Sequence, residues 1–281
     1  MANNILVYDL QDNYTSYHNI TNDFITGENP PYHRHNAYEI YLFLSGNVNM
    51  YIEQTCYRLE RGDMALVNPS ELHRSCCLDS TTYERIGINI KQSVFNNLNT
   101  SNTNLLSCFY SHPHGQDNMK RLNEEQIQEY TSLADDLIRV SGSLDYGNDL
   151  LSYSYLIKLL VYVNRLYKES THFDSENLMP KIIMDTMDYV NEHFSEKITL
   201  DDLSELLNYN GNYISNCFKQ YTGLTLRNYI LNKRIDYAGK LLLSGASVSD
   251  ACIQSGFNDY ANFIRNFKRI TGVSPGKYGK Q

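Results

Sequence analysis

The 281-residue sequence contains no tryptophan and only six prolines, and its longest apolar runs, such as residues 156–163, are short and interrupted by polar atoms. A membrane-spanning helix, which needs about 20 consecutive apolar residues, is not expected. Six cysteines (Cys56, Cys76, Cys77, Cys108, Cys217 and Cys252) are scattered without CxxC spacing. They read as reduced thiols rather than a disulfide framework or a zinc site, with the adjacent Cys76 and Cys77 as two small strand residues. The first residues, Met1-Ala2-Asn3-Asn4-Ile5, lack the basic and apolar segments of a secretory signal, which predicts a cytoplasmic protein. Hydrophobic residues at 42% and charged residues at 20% exclude a disordered or collagen-like chain. The length is enough for two cores.

Charge is distributed unevenly. Residues 1–179 carry 12 basic and 22 acidic side chains, whereas residues 180–281 carry 12 and 10. Within residues 210–281 there are 10 basic and 3 acidic side chains. A basic carboxy-terminal segment behind an acidic body points to a polyanion partner, though charge alone does not separate DNA from RNA. Residues 168–179 are polar, lack apolar periodicity and precede Pro180, which makes residues 171–180 the expected linker. Upstream, residues 124–140 and 149–167 read as helices. In the second, Leu156, Leu160, Val163 and Tyr167 form one apolar stripe, taken as a surface for an isologous dimer. Residues 39–44, 48–53, 64–67 and 85–90 read as strands, separated by turn signals at Ser45-Gly46-Asn47 and Arg61-Gly62-Asp63.

The last third repeats itself. Phe218-Lys219-x-x-Thr222-Gly223-x5-Tyr229 returns 49 residues later as Phe267-Lys268-x-x-Thr271-Gly272-x5-Tyr278. Upstream of the copies stand two capping boxes, Thr199 with Asp202 and Ser247 with Asp250, each opening a short helix. Each short helix closes on a turn, at residues 208–211 and at Gly256, and a second helix follows. This is the helix-turn-helix arrangement, which lays its second helix in the major groove. In residues 212–221 the expected inner face is Tyr213, Ile214, Cys217, Phe218 and Tyr221, leaving Asn212, Ser215, Asn216, Lys219 and Gln220 outward. In residues 259–270, Phe263, Ile264 and Phe267 face inward and Tyr260, Ala261, Asn262, Arg265, Lys268 and Arg269 outward. A continuous helix over residues 225–243 joins the two units.

These residues resemble the DNA-binding domain of the AraC/XylS family of bacterial transcription regulators. The match spans residues 181–281 and includes Gly256-Phe257-x5-Phe263-x3-Phe267-Lys268-x2-Thr271-Gly272-x-Ser274-Pro275-x2-Tyr278. The resemblance implies that Asn212, Ser215 and Asn216 meet bases from the first recognition helix and Tyr260, Ala261 and Arg265 from the second. Asn216 stands where arginine is frequent in the family.

In the first half, Gly27-x5-His33-x-His35-x3-Glu39-x6-Gly46 is followed by Gly62-x10-His73. On an unbroken strand His33, His35 and Glu39 share a face, with His73 coming from a neighbouring strand. Imidazoles with one carboxylate suit Zn, Fe, Mn, Ni or Cu. The alternative is a polar pocket that binds an effector directly or satisfies its own hydrogen bonds. The spacing is similar to the first motif of the cupin β-barrels, with Asn68 and Ser70 departing from the second. Such a barrel is the sensor domain in one branch of AraC-type regulators, so the resemblance implies a ligand pocket.

The expected architecture is a multidomain α+β chain. A cupin-like sensing barrel takes residues 1–100, a helical dimerisation segment residues 101–170, and a double helix-turn-helix domain residues 181–281. The expected partners are double-stranded DNA, a small-molecule effector (a sugar by family habit), a second copy of the chain and RNA polymerase. The chain is read as a regulator rather than an enzyme. The rival is a metal-dependent cupin enzyme, a dioxygenase or sugar isomerase, with helices that serve only assembly. A structural DNA-bending protein leaves the barrel unexplained. The loop around His112-Pro113-His114 reads as an exposed segment or a lid.

Overall fold

The first half of the chain forms nine strands among the described residues, some alternating and some, such as β3 and β6, buried along nearly their whole length: β1 (Ile5–Tyr8), β2 (Tyr14–Thr21), β3 (Tyr38–Ser45), β4 (Val48–Ile52), β5 (Thr55–Arg58), β6 (Asp63–Val67), β7 (His73–Cys77), β8 (Tyr83–Ile90) and β9 (Met119–Arg121). The structure is a computed structural model that describes residues 5–8, 13–21, 30–69, 71–95, 98–110, 115–169 and 177–279. The expected lid at His112-Pro113-His114 and most of the expected linker lie outside the described residues. The strands pair antiparallel into a six-stranded sheet, ordered β1-β2-β8-β3-β6-β9, and a three-stranded sheet, ordered β5-β4-β7.

One face of the large sheet looks toward the small sheet. There Tyr41, Phe43, Ala65, Val67 and Tyr83 pack with Val48, Met50, Ile52 and Tyr57. The other face, with Ile40, Leu42, Ile86 and Ile88, is covered by helices. Short helices α1 (Gln92–Phe95) and α2 (Ser107–Tyr110) lead to α3 (Glu124–Ser141) and α4 (Asn148–Glu169). Helix α3 opens with a complete capping box made by Asn123 and Gln126, which satisfies backbone donors that an isolated helix end leaves open.

The apolar stripe of α4 is core rather than a partner surface. Leu156, Leu160 and Val163 are fully buried among the residues of the large sheet and α3, with Tyr167 packed beside them. Covering an open sheet face consumes the whole stripe, so none of it remains for a second copy. Exposed apolar side chains cluster instead at the α3–α4 turn, where Leu144 is 83% and Tyr146 fully exposed, next to Leu150 and Leu151.

Contacts divide the chain into Met1–Leu178 and Met179–Gln281. At the end of the first unit the Cys56 N–H donates to Asn177 Oδ1 (2.9 Å) and the Leu178 N–H to the Cys56 carbonyl (3.0 Å), so the exit segment lies along β5.

The second unit is helical: α5 (Lys181–His193), α6 (Leu200–Leu207), α7 (Gly211–Thr222), α8 (Leu226–Leu243), α9 (Val248–Gln254), α10 (Tyr260–Thr271) and α11 (Pro275–Tyr278). Helix α5 was not read from the sequence, although Ile183, Met187 and Val190 mark its buried face. The Thr199 box is reciprocal, with Thr199 Oγ1 accepting from the Asp202 N–H and the Asp202 carboxylate accepting from the Thr199 N–H. The second is only half a box: Ser247 Oγ accepts from the Asp250 N–H, but Asp250 takes the Ser247 hydroxyl instead of its backbone N–H. Gly256 needs its left-handed backbone (φ 81°) and its missing side chain, because a Cβ there would stand 2.3 Å from the Ser195 carbonyl oxygen.

Candidate effector site and nucleic-acid interface

The four metal-type residues of the first unit meet, but not on one strand. Residues 34–37 are not extended into β3, which begins at Tyr38, so alternation along an unbroken strand does not align them. His33 instead forms an isolated antiparallel bridge with His73, each N–H donating to the other's carbonyl at 3.0 Å. A bend brings His35 in beside them. The imidazole centroids of His33 and His35 lie 4.6 and 5.0 Å from that of His73, and one ring nitrogen from each of the three fits within 4.8 Å of the others.

Each ring is held the same way. The Nδ1 atoms of His33, His35 and His73 lie 3.1, 3.1 and 3.0 Å from the carbonyl oxygens of Pro31, Ala37 and Glu71. A carbonyl only accepts, so Nδ1 carries the proton and Nε2 is left as the ligand atom, the outer-shell arrangement that fixes metal-binding histidines. Buried Glu39 places Oε2 3.2 Å from His35 Nε2 and 3.0 Å from His73 Nε2. Burial disfavours its charge, but the bonds and charges of His35 and His73 win and hold the carboxyl well below the usual carboxylate range. Burial and the charge of His73 lower the pKa of His33, while the Glu39 carboxylate outweighs the burial of His73 and raises that of His73. The Nε2 of His73 is buried and lacks a hydrogen bond of good geometry. Three fixed imidazoles, a carboxylate and an orphaned buried nitrogen fit a divalent transition metal.

Glu71, not singled out by the sequence reading, anchors the segment before His73. Its carboxylate accepts from the N–H groups of Asn68 and Gly115 and from the Asn118 side chain, at 2.7–2.9 Å. Nothing in an isolated sequence separates such a loop-bracing carboxylate from a solvated one.

In the second unit Asn212, Asn216, Lys219 and Gln220 are exposed on α7 and Ser215 half-buried, while Tyr260, Ala261, Asn262, Arg265, Lys268 and Arg269 are exposed on α10. Ile214 and Phe218 anchor the first helix and Phe263 and Phe267 the second. Tyr213 departs from the expected inner face: it is 52% exposed and stacks on Tyr209. Asn266, also missed, donates to Asn262 Oδ1 (2.8 Å) and accepts from Arg269 (3.0 Å), which holds two outward side chains in place. Between the two helix-turn-helix units lies a cleft of about 1010 Å³ whose rim includes Lys197, Arg227, Asn258 and Arg269.

An AraC-like ligand-binding domain matches residues 23–160 and a helix-turn-helix domain residues 203–281. An uncharacterised HTH-type transcriptional regulator of Staphylococcus aureus is 23% identical over 253 residues, 89% of this chain and 32% of the relative. The regulator YtdP of Bacillus subtilis is 33% identical over 103 residues, 36% of this chain and 13% of the relative. The chain thus spans about a third or less of the length of these curated relatives. Among solved structures, ToxT from Vibrio cholerae bound to (E)-4-(8-methylnaphthalen-1-yl)but-3-enoic acid is 17% identical, with 95% of this chain and 98% of that one covered and a TM-score of 0.39. The C-terminal domain of AraT from Geobacillus stearothermophilus is 28% identical, covering 37% of this chain and 88% of that one, with a TM-score of 0.36. The chain thus carries an AraC-like ligand-binding domain followed by a helix-turn-helix domain, the pairing found in AraC-type transcriptional regulators.

Proposed function

We propose that the chain is a sequence-specific DNA-binding transcription regulator whose operator affinity responds to a small molecule in the barrel. The observation that carries this reading is the pair of buttressed helices α7 and α10, whose expected base-reading and phosphate-reading side chains are exposed or half-exposed on a basic unit. A hydrogen-bonded route for coupling supports the effector role. His73 pairs with Ile52 of β4, Tyr51 of β4 pairs with Cys56 of β5, and Cys56 binds the exit segment at Asn177 and Leu178. A ligand that favours one arrangement of the histidines therefore biases the register of the segment leading to the DNA-binding unit.

His33, His35, Glu39 and His73 would hold a divalent metal, which when bound supplies a positive Lewis-acidic centre for effector oxygens. The dimer partner surface is reassigned to the exposed α3–α4 turn. RNA polymerase is the further protein partner of a regulator. The histidine cluster also favours a second reading, a metal-dependent enzyme, and one experiment separates the two. Purified protein should retard the duplex upstream of its own coding region at concentrations that leave a random duplex free, and effector should shift that affinity ~5–150-fold. Equal retardation of both duplexes, or none, overturns the regulator reading.

A further inference from the structure

Three polar atoms on the inner side of β2 and β8 are buried with no hydrogen-bond partner: Arg85 Nη1, Asn19 Oδ1 and Asn89 Oδ1. Register puts them on one surface. Asn19 lies opposite Arg85 and Tyr17 opposite Gly87, while Gly87 and Arg85 lie opposite Tyr41 and Phe43 of β3. Tyr41, Phe43 and Tyr83 on this side belong to the core between the two sheets, so the surface is the interior of the barrel.

Arg85 is the unusual member. Its guanidinium carbon is 4.2 Å from the ring centroid of Tyr83 and 5.9 Å from that of Tyr17, and no carboxylate pairs with it among the described residues. Ring faces stabilise a cation, and the Tyr17 hydroxyl faces the guanidinium, but Nη1 is left without a hydrogen-bond partner. Glu39, the carboxylate on the same inner side, is turned to His35 and His73. Gly87 makes room for the arrangement, because a Cβ there would stand 2.1 Å from the Tyr17 ring that crosses it. Burial raises the pKa values of Tyr17 and Tyr41, so both phenols remain neutral donors.

A buried cation is costly unless an anion meets it, and the planar guanidinium fork matches a carboxylate in bidentate fashion. Unpartnered amide oxygens accept from hydroxyl groups. We propose that this surface is the effector subsite, with Arg85 as its anchor, and that it takes a small hydroxylated carboxylate rather than a neutral sugar. The proposal rests on the barrel being the sensor.

The test uses the full chain with lactate and lactamide, which differ in charge but hardly in shape, at constant ionic strength. Calorimetry and the ¹⁵N side-chain resonance of Arg85 report binding. Lactate should bind saturably, move the Arg85 resonance and bind at least ~10-fold more tightly than lactamide, the worth of a charge-assisted contact. Arg85→Gln should erase that difference. If the variant fails to fold, the comparison of the two probes on the unsubstituted chain still decides. Equal affinities, or no saturable movement of Arg85 with lactate, overturn the proposal. Lactate binding that leaves DNA affinity unchanged supports the anion site while counting against the sensor reading.

Discussion

The Nε2 of His73 lies 3.0 Å from Glu39 Oε2, while Nδ1 of the same ring lies 3.0 Å from the Glu71 carbonyl oxygen. With the ring proton spent on the carbonyl, two acceptors face each other in a buried place, and only a proton or a metal cation between them makes the contact favourable. Protein isolated without a histidine tag should therefore contain about one equivalent of a divalent transition metal per chain by elemental analysis, and His73→Ala should bring it near zero. Metal-free protein with an unchanged fold would return the cluster to a polar pocket.

A second histidine sets a pH dependence. His18 holds Asp135 through Nδ1 and Glu84 through Nε2, both at 3.0 Å, joining β2, β8 and α3. The hydrogen bond to Asp135 outweighs burial, with Glu84 adding to it, and the pKa is raised above 6.5. The stabilisation is therefore fully present below pH 6.5 and is lost as the pH climbs through the raised folded value. His18→Gln should cost about 1 kcal/mol or less at pH 5.5, since the pairs are partly exposed, and nothing at pH 9. Denaturant melts at the two pH values check this, and a larger cost at pH 9 refutes it.

What the sequence revealed follows from where its information is local. Caps, turns and helix periodicity are contained in a few adjacent residues, so α6, α9 and α10 were readable from positions such as Thr199, Gly256 and Phe267. The histidines were nominated by spacing, but their convergence depends on a bridge between His33 and His73, 40 positions apart, which no local pattern encodes. Strand β7 carries no apolar alternation in His73-Arg-Ser-Cys-Cys, so the sequence placed it only through His73 and the Cys76 and Cys77 pair, without bounds. The stripe on α4 was visible, but the sequence does not say whether a stripe meets its own sheet or a second chain. Arg85 was hidden for the opposite reason: an arginine alternating with apolar residues reads as solvent-facing, whereas here helices cover the Ile86 and Ile88 side of β8 and Arg85 lies on the side facing the small sheet.

The exposed α3–α4 turn is the dimer contact proposed above. Leu144, Tyr146, Leu150 and Leu151 present apolar area that the chain itself does not cover, and a two-fold axis through such a patch makes it self-complementary. Tyr146→Asp combined with Leu150→Asp should halve the mass measured by light scattering without lowering the melting temperature. An unchanged mass places any interface elsewhere.

Two glycines in the duplicated units separate sterics from backbone preference. Gly256 and Gly272 both have φ near 80°, but a Cβ on Gly256 collides with Ser195, whereas one on Gly272 meets nothing within 4 Å. Gly272→Ala should cost about 1 kcal/mol, the price of a left-handed alanine. Gly256→Ala should cost roughly 2–4 kcal/mol because backbone must also move. Equal costs in denaturant melts would show that the contact with Ser195 relaxes freely.

The last expectation separates base reading from phosphate reading on α10. Arg265 stands one turn beyond the exposed amino-terminal residues Tyr260 and Ala261, on the side opposite the buried Phe263 and Phe267, whereas Lys268 and Arg269 occupy the last turn. A recognition helix enters the major groove with its amino-terminal portion, so the proposed roles are base edges for Arg265 and the phosphate backbone for Lys268. Arg265→Ala should cost about 1–3 kcal/mol on the preferred duplex and flatten preference at one base pair. Lys268→Ala should weaken preferred and random duplexes alike. If Lys219, Lys233, Lys268 and Arg269 each neutralise a phosphate, log affinity should fall with log salt at a slope of about −3.6 per protomer, and Lys268→Ala should make it shallower by about 0.9. Arg265→Ala should leave the slope nearly unchanged while losing sequence preference. Titrations of both variants across a salt series give affinity and slope together. Should Arg265→Ala change the slope as much as Lys268→Ala and keep the preference intact, Arg265 is a phosphate contact and the base-reading role passes to Tyr260 and Ala261.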